Sequence, residues 1–84
     1  WLWHVARLVD GGAQDFGVEA SMLKMRASDL AMRTTTDAVQ LFGGYGYCKD
    51  YRVERLMRDA KITQIWEGTN QIHRQLIGRS FINK

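Results

Sequence analysis

GVEASMLKMRASDLAMRTTTDAVQL, residues Gly17 to Leu41, contains no proline and keeps apolar side chains at helical spacing throughout. Those side chains form two rows on opposite faces. Val18, Met22, Met25, Met32 and Val39 make one row; Ala20, Leu23, Ala27, Leu30, Ala31, Ala38 and Leu41 make the other. A polar strip of Glu19, Arg26, Arg33, Asp37 and Gln40 runs between them. A surface helix needs a single apolar stripe, so two stripes predict a central helix packed on both sides. The Met-rich row is the better candidate for a contact outside this chain, because methionine repacks easily. Ordinary core on both sides is the alternative.

Phe42-Gly43-Gly44-Tyr45-Gly46-Tyr47 stops this helix, since its glycines permit left-handed backbone and tight turns. Asp50 is placed to cap a short helix from about Tyr51 to Lys61, where Val53, Leu56, Met57 and Ala60 keep the i, i+3, i+4, i+7 pattern. Glu54 with Arg58, and Arg55 with Asp59, stand at ion-pair spacing on it. Residues 63–67 read as a non-helical connector, and a last helix runs from about Asn70 to Ile82. On the other side, Gly11-Gly12 ends a first apolar helical piece that opens at Trp1, and Asp15 could cap the long helix. The reading is all-α: four helical pieces in an up-down bundle, the first truncated, forming a single domain over 1–84 that is part of a longer chain.

Composition narrows the function classes. Eighty-four residues allow one small domain with a limited core. Twelve basic and nine acidic residues give a net charge of +3, and the charges are interleaved. That argues for a solvated mixed face and against a nucleic-acid stripe. No apolar run approaches the ~20 residues of a membrane span, and residues 1–9 lack a signal-peptide layout. The one cysteine, Cys48, rules out an internal disulfide; a lone buried thiol in a reducing compartment is the default. His4 and His73 are isolated from each other and from Cys48, so no metal is expected.

Ile65-Trp66-Glu67-Gly68-Thr69-Asn70-Gln71-Ile72 is the stretch most suggestive of chemistry. It places one carboxylate, Glu67, between an aromatic-apolar segment and a helix start capped by Thr69. Trp66 supplies a wall that could exclude water, and Gly68 allows close backbone approach. A desolvated carboxylate suits a general base, whereas the plain alternative is a surface Glu before a capped helix. The Gly43-Gly44-Tyr45-Gly46 cluster could cradle a phosphate. It is no dinucleotide fingerprint, because position 49 is Lys49 and the cluster follows a helix, and on its own a helix-ending turn explains it better.

Three runs, in order, resemble the C-terminal helical domain of the acyl-CoA dehydrogenases. They are Ala38 to Tyr47 (AVQLFGGYGY), Val53 to Ile62 (VERLMRDAKI), and Ile65 to Ile72. The resemblance covers most of this chain but only the last third or less of a family member. It implies oxidation of an acyl-CoA thioester to the 2-enoyl-CoA, in fatty acid or amino acid catabolism. Glu67 would remove the α-proton while a hydride leaves the β-carbon for FAD, and the Glu67 N–H would help stabilise the thioester oxygen. Gln40, Gly43 and Gly44 would contact the ADP part of a flavin held mainly by a neighbouring subunit. Thr69 and Gln71 match positions that touch flavin, and Trp66 and Gly68 match positions lining the acyl-CoA site; core packing is the alternative for Trp66.

The resemblance also implies a homotetramer, an electron-transferring flavoprotein as acceptor, and a bacterial cytoplasmic or mitochondrial matrix setting. The family's N-terminal and middle domains hold most of the flavin, so these 84 residues alone are expected to be inactive. Arg52 stands where many relatives have Pro, and His73 where many have Gln; an exposed helix histidine is the plain reading of His73. Some branches of the family keep their base on another helix, and Glu67 places this chain with the commoner arrangement. A noncatalytic helical oligomerisation module of the same fold is the rival reading. A basic nucleic-acid binder rests on the charge balance alone.

Overall fold

In the computed structural model, which describes residues 1–82, the long central helix is α2, Gly17–Phe42. Around it stand α1 (Leu2–Asp10), a 3₁₀ turn (Gly43–Tyr47), α3 (Val53–Thr63) and α4 (Asn70–Ile82). The described residues contain no strand, so the all-α expectation holds. Positions 83 and 84, the end of the expected domain, lie outside the described residues.

Both α3 and α4 pack on α2 and, among the described residues, not on each other. They follow one another along α2, each running against its direction. At the C-terminal end, Phe42 and Tyr51 meet edge to face with ring centroids 5.8 Å apart. There Gly46 is buried so tightly that a Cβ would stand 2.7 Å from both the Val39 carbonyl oxygen and Phe42 Cβ, which accounts for glycine at that position. Midway, Gln64 at the end of α3 donates to Asp29 (2.8 Å). At the N-terminal end, Val18 and Met22 of α2 line a cleft with Ser80 and Phe81 of α4. The break between α3 and α4 therefore lies over the middle of α2, and residues 64–69 fill it.

The Met-rich row of α2 faces inward, contrary to the expectation that it marks an outside contact. Val18, Met22, Met25, Met32 and Val39 are all half-buried; in the other row Ala20, Leu23, Ala31 and Ala38 are half-buried too, while Leu30 and Leu41 are 55% and 88% exposed. Ser21, Ser28 and Thr35 lie along the same side of the helix. They recur every seventh residue beside the methionines, and Ser21 and Ser28 are buried. Small side chains let a neighbouring helix approach, and the hydroxyls of Ser28 and Thr35 donate to carbonyls one turn back.

Two caps differ from expectation. Asp15 does not cap α2, because the helix starts one residue later than that cap requires and Phe16 holds the N-cap position. Asp50 does not cap α3; a turn closed by Tyr51 N–H to the Cys48 carbonyl (3.2 Å) moves the start to Val53, with Arg52 at the N-cap. Cys48 is exposed, not buried, because that turn carries it to the surface, and its thiol donates to the Gly44 carbonyl (3.5 Å). The ion pairs Glu54–Arg58 and Arg55–Asp59 both form on α3, the second fully at the surface and the first with Glu54 mostly covered.

Closed core is scarce. Val5 and Ala60 are the buried apolar residues among those described, and Trp3, Leu41, Tyr47 and Ile82 are each more than three-quarters exposed. The radius of gyration is 16.1 Å; a compact chain of this length would have about 12 Å. The helices leave large apolar side chains uncovered by this chain. No helix among the described residues is long and apolar enough to cross a membrane.

Candidate functional site

The connector over α2 takes its shape from an unusual backbone. Ile65 and Trp66 N–H groups both return to the Ile62 carbonyl, closing α3. Glu67 then adopts φ 54° and Gly68 φ 85°. Gly68 accepts that geometry freely, whereas a left-handed Glu costs about 1–2 kcal/mol. Thr69 resumes ordinary geometry and caps α4, its hydroxyl accepting the Ile72 N–H at 3.3 Å, as expected from the sequence. The chain thus pivots at Glu67, and the strain must be offset by contacts from outside the turn.

Those contacts come from both sides. The His73 ring approaches from α4, with Nε2 3.0 Å from the Glu67 carbonyl oxygen. A carbonyl only accepts, so Nε2 carries the hydrogen, and Nδ1, buried, has no partner among the described residues. A Cβ on Gly68 would stand 3.1 Å from Nε2, so glycine there also makes room for the ring. His73 is half-buried and engaged, not the free surface histidine expected. From α2, the Lys24 ammonium donates to the Gly68 carbonyl (2.8 Å) and to Asn70 Oδ1 (2.6 Å).

Asn70 is the hub of this arrangement and only 3% exposed. Its Oδ1 faces an ammonium that can only donate. Its Nδ2 donates to Ser28 Oγ (2.8 Å) and Asp29 Oδ1 (2.7 Å), and lies 3.4 Å from the Met25 carbonyl. Its backbone N–H reaches the Gln64 carbonyl (3.1 Å). Arg74 closes the far side on Asp29 Oδ2 (2.8 Å). Lys24, Ser28, Asp29, Asn70 and Arg74 were not singled out from sequence. The seven-residue recurrence of Ser21, Ser28 and Thr35 could have marked the face; nothing local marks the rest.

Burial is the largest influence on the Asp29 carboxyl and pushes it up. Hydrogen bonds from Asn70 and Gln64, with the Arg74 charge, outweigh that and hold it below the ordinary 3.8. A depressed folded-state value means that the contribution is complete above pH 3.8 and lost as pH falls through the folded value. Asp29→Asn is therefore expected to destabilise the full-length protein at neutral pH. The gap from wild type should narrow in melts run below pH 3.8. A gap independent of pH would show that the charge is not what matters.

A groove of about 310 Å³ opens beside the turn, lined by Lys24, Ala27, Ala31, Thr63, Trp66 and Glu67. Trp66 is 56% exposed in this chain and forms a wall of the groove. Glu67 is exposed, so this chain alone does not supply the water exclusion anticipated for it. Among the described residues, its backbone N–H is not taken by any backbone carbonyl. Thr69 and Gln71 line a second cleft, of about 420 Å³, with Asp29, Asn70 and Arg74. The structure thus brings Trp66, Glu67, Gly68, Thr69 and Gln71 together. It holds Gln40, Gly43 and Gly44 apart, at the end of α2 and in the 3₁₀ turn. From Lys24 to Gln40 is 16 residues, about 24 Å along the helix. No group of three or more His, Cys, Asp or Glu stands ready for a metal among the described residues.

The fold and turn define an all-α domain that presents one carboxylate at an apolar groove and leaves its outer faces open. The sequence model of "Acyl-CoA dehydrogenase, C-terminal domain" matches residues 1–82. An acyl-CoA dehydrogenase of Bacillus subtilis is 56% identical over 78 residues, which are 93% of this chain and 20% of that protein. The solved butyryl-CoA dehydrogenase of Megasphaera elsdenii superimposes with a TM-score of 0.89 at 50% identity, over 95% of this chain and 21% of that one. A chain in the structure of the electron transferring flavoprotein of Acidaminococcus fermentans, described in connection with flavin-based electron bifurcation, matches with a TM-score of 0.90. Its identity is 52%, over 98% of this chain and 21% of that one. The chain belongs to the acyl-CoA dehydrogenase family, as its C-terminal domain. It spans about a fifth of the length of the relatives it matches.

Proposed function

We propose that this chain supplies the catalytic base and part of the flavin site of an FAD-dependent acyl-CoA dehydrogenase that converts an acyl-CoA thioester to its 2-enoyl-CoA. The observation that carries the reading is the Glu67 turn. A carboxylate stands at the mouth of an apolar groove, on a left-handed residue whose own N–H is unclaimed by backbone among the described residues. One residue can then do two things. Its carboxylate takes the α-proton of the thioester, and its N–H donates to the thioester oxygen as negative charge develops there. Trp66 and Gly68 flank the approach of the acyl-CoA. Bound FAD supplies the two-electron acceptor for the hydride that leaves the β-carbon.

The residues present fit such a cofactor. Gln40 is exposed at the end of α2, Gly43 has φ 65°, and a Cβ at Gly43 or Gly44 would meet nothing within 4 Å, so backbone there is open to a phosphate. Thr69 and Gln71 line the cleft on the far side of the Glu67 turn. In the family resemblance Gln40, Gly43 and Gly44 contact a flavin held mainly by a neighbouring subunit, and their separation of about 24 Å from the Glu67 turn within one copy suits that assignment. An oligomer, of tetramer size in the family, is therefore part of the proposal, with electron-transferring flavoprotein as the acceptor. The exposed Leu30 and Leu41 face of α2 supports packing against further domains or subunits.

The test is the visible spectrum of the full-length polypeptide that contains this segment. A flavin band that bleaches anaerobically on addition of an acyl-CoA is expected. A colourless protein that FAD cannot reconstitute would overturn the reading in favour of a noncatalytic oligomerisation module, which the scarcity of closed core would also suit.

A further inference from the structure

We propose that Lys24 and His73 are positioning residues that together hold the Glu67–Gly68 turn in its left-handed form. The inference rests on the reading of Glu67 as the base. A base must be delivered to the α-carbon within a fraction of an ångström, and Glu67 sits on backbone that this residue type rarely adopts. The turn cannot hold itself, because the two carbonyls that define it, those of Glu67 and Gly68, are both bound from outside. His73 Nε2 takes the first at 3.0 Å and the Lys24 ammonium the second at 2.8 Å. The two donors come from different helices, α4 and α2, so the turn is clamped between them. Lys24 is itself held by Asn70 Oδ1 at 2.6 Å, on a side chain anchored to Ser28 and Asp29. Rotation of the turn toward ordinary backbone would break both carbonyl contacts at once and swing the carboxylate away from the groove that Lys24 and Glu67 share.

The pairing has a second consequence. With Nε2 committed to a carbonyl, His73 Nδ1 is left buried and without a partner among the described residues. An unpaired buried nitrogen is a cost, and the bond at Nε2 is the contact that offsets it. A glutamine could supply the same N–H donor through its amide, whereas an aliphatic side chain could not.

The experiment compares Lys24→Met, Lys24→Arg and Glu67→Gln in the full-length holoenzyme, with butyryl-CoA and its α-deuterated form as probes. Lys24→Met is expected to keep its flavin and a near wild-type KM while kcat falls by about 10- to 100-fold. The α-deuterium isotope effect on kcat should rise, because a misaimed base makes proton removal limiting. Lys24→Arg should restore most of kcat. Wild-type kcat and isotope effect in Lys24→Met, with Glu67→Gln inactive, would overturn the positioning role and leave the base intact. Wild-type turnover in Glu67→Gln would overturn the base, and the positioning role with it. Should Lys24→Met not accumulate, His73→Leu against His73→Gln gives the same readings from the other side of the clamp. A wild-type kcat in His73→Leu would overturn the proposal.

Discussion

Glu67→Gln in the full-length protein is expected to lower turnover by about 10²- to 10⁴-fold, the usual contribution of a positioned general base. The substitution keeps size and shape and removes the basic lone pair. It should leave the fold untouched. Among the described residues the Glu67 carboxylate makes no hydrogen bond or ion pair, and the residue is exposed, so no structural contact is lost. The backbone N–H is unchanged, so acyl-CoA should still bind and perturb the flavin spectrum. What fails is the bleaching that follows proton removal. Bound but unreduced flavin is thus the signature of a missing base, and it differs from a lost site, where neither perturbation nor bleaching occurs. Turnover at the wild-type rate would exclude Glu67 from the chemistry.

Local chemistry was legible in the sequence, and long-range chemistry was not. Thr69 followed by an apolar-periodic stretch announced α4, because a cap acts over three residues and its partner, the Ile72 N–H, is fixed by the helix itself. Asp50 carried the same local signal and misled, because a turn closed between Cys48 and Tyr51 displaced the start of α3. The two-faced character of α2 was readable; which face turns inward was not. The adaptability of methionine pointed to the Met-rich row for an outside contact. Buried Ser21 and Ser28 stand on the methionine side, and nothing in the apolar spacing of α2 marks that side as the one α3 and α4 cover. The clamp around Glu67 lay further from view. Lys24 reaches Asn70 across 46 residues and Asn70 reaches Asp29 across 41, and no spacing rule joins positions so distant.

Asn70→Ala is expected to open the turn more than any other single change outside Glu67 and Gly68. Asparagine is the side chain that this place calls for: it must accept from an ammonium at one end and donate to a carboxylate and a hydroxyl at the other. Aspartate could face Lys24 but would set a second carboxylate against Asp29. Alanine removes both ends and leaves Lys24, Ser28 and Asp29 each short of a partner in a region that is 3% exposed at its centre. The penalty for stranding such groups is about 1–3 kcal/mol each, and more for charged ones, larger than the about 1 kcal/mol of an ordinary hydrogen bond. Because Asn70 also ties α4 to the end of α3 through the Gln64 carbonyl, the loss concentrates in residues 64–70. The measurement is limited proteolysis of the full-length protein across that segment, where cleavage follows the population of the open form. An opening easier by 2 kcal/mol or more raises the cleavage rate by about 30-fold or more. A wild-type rate would mean that Asn70 does not hold the turn closed.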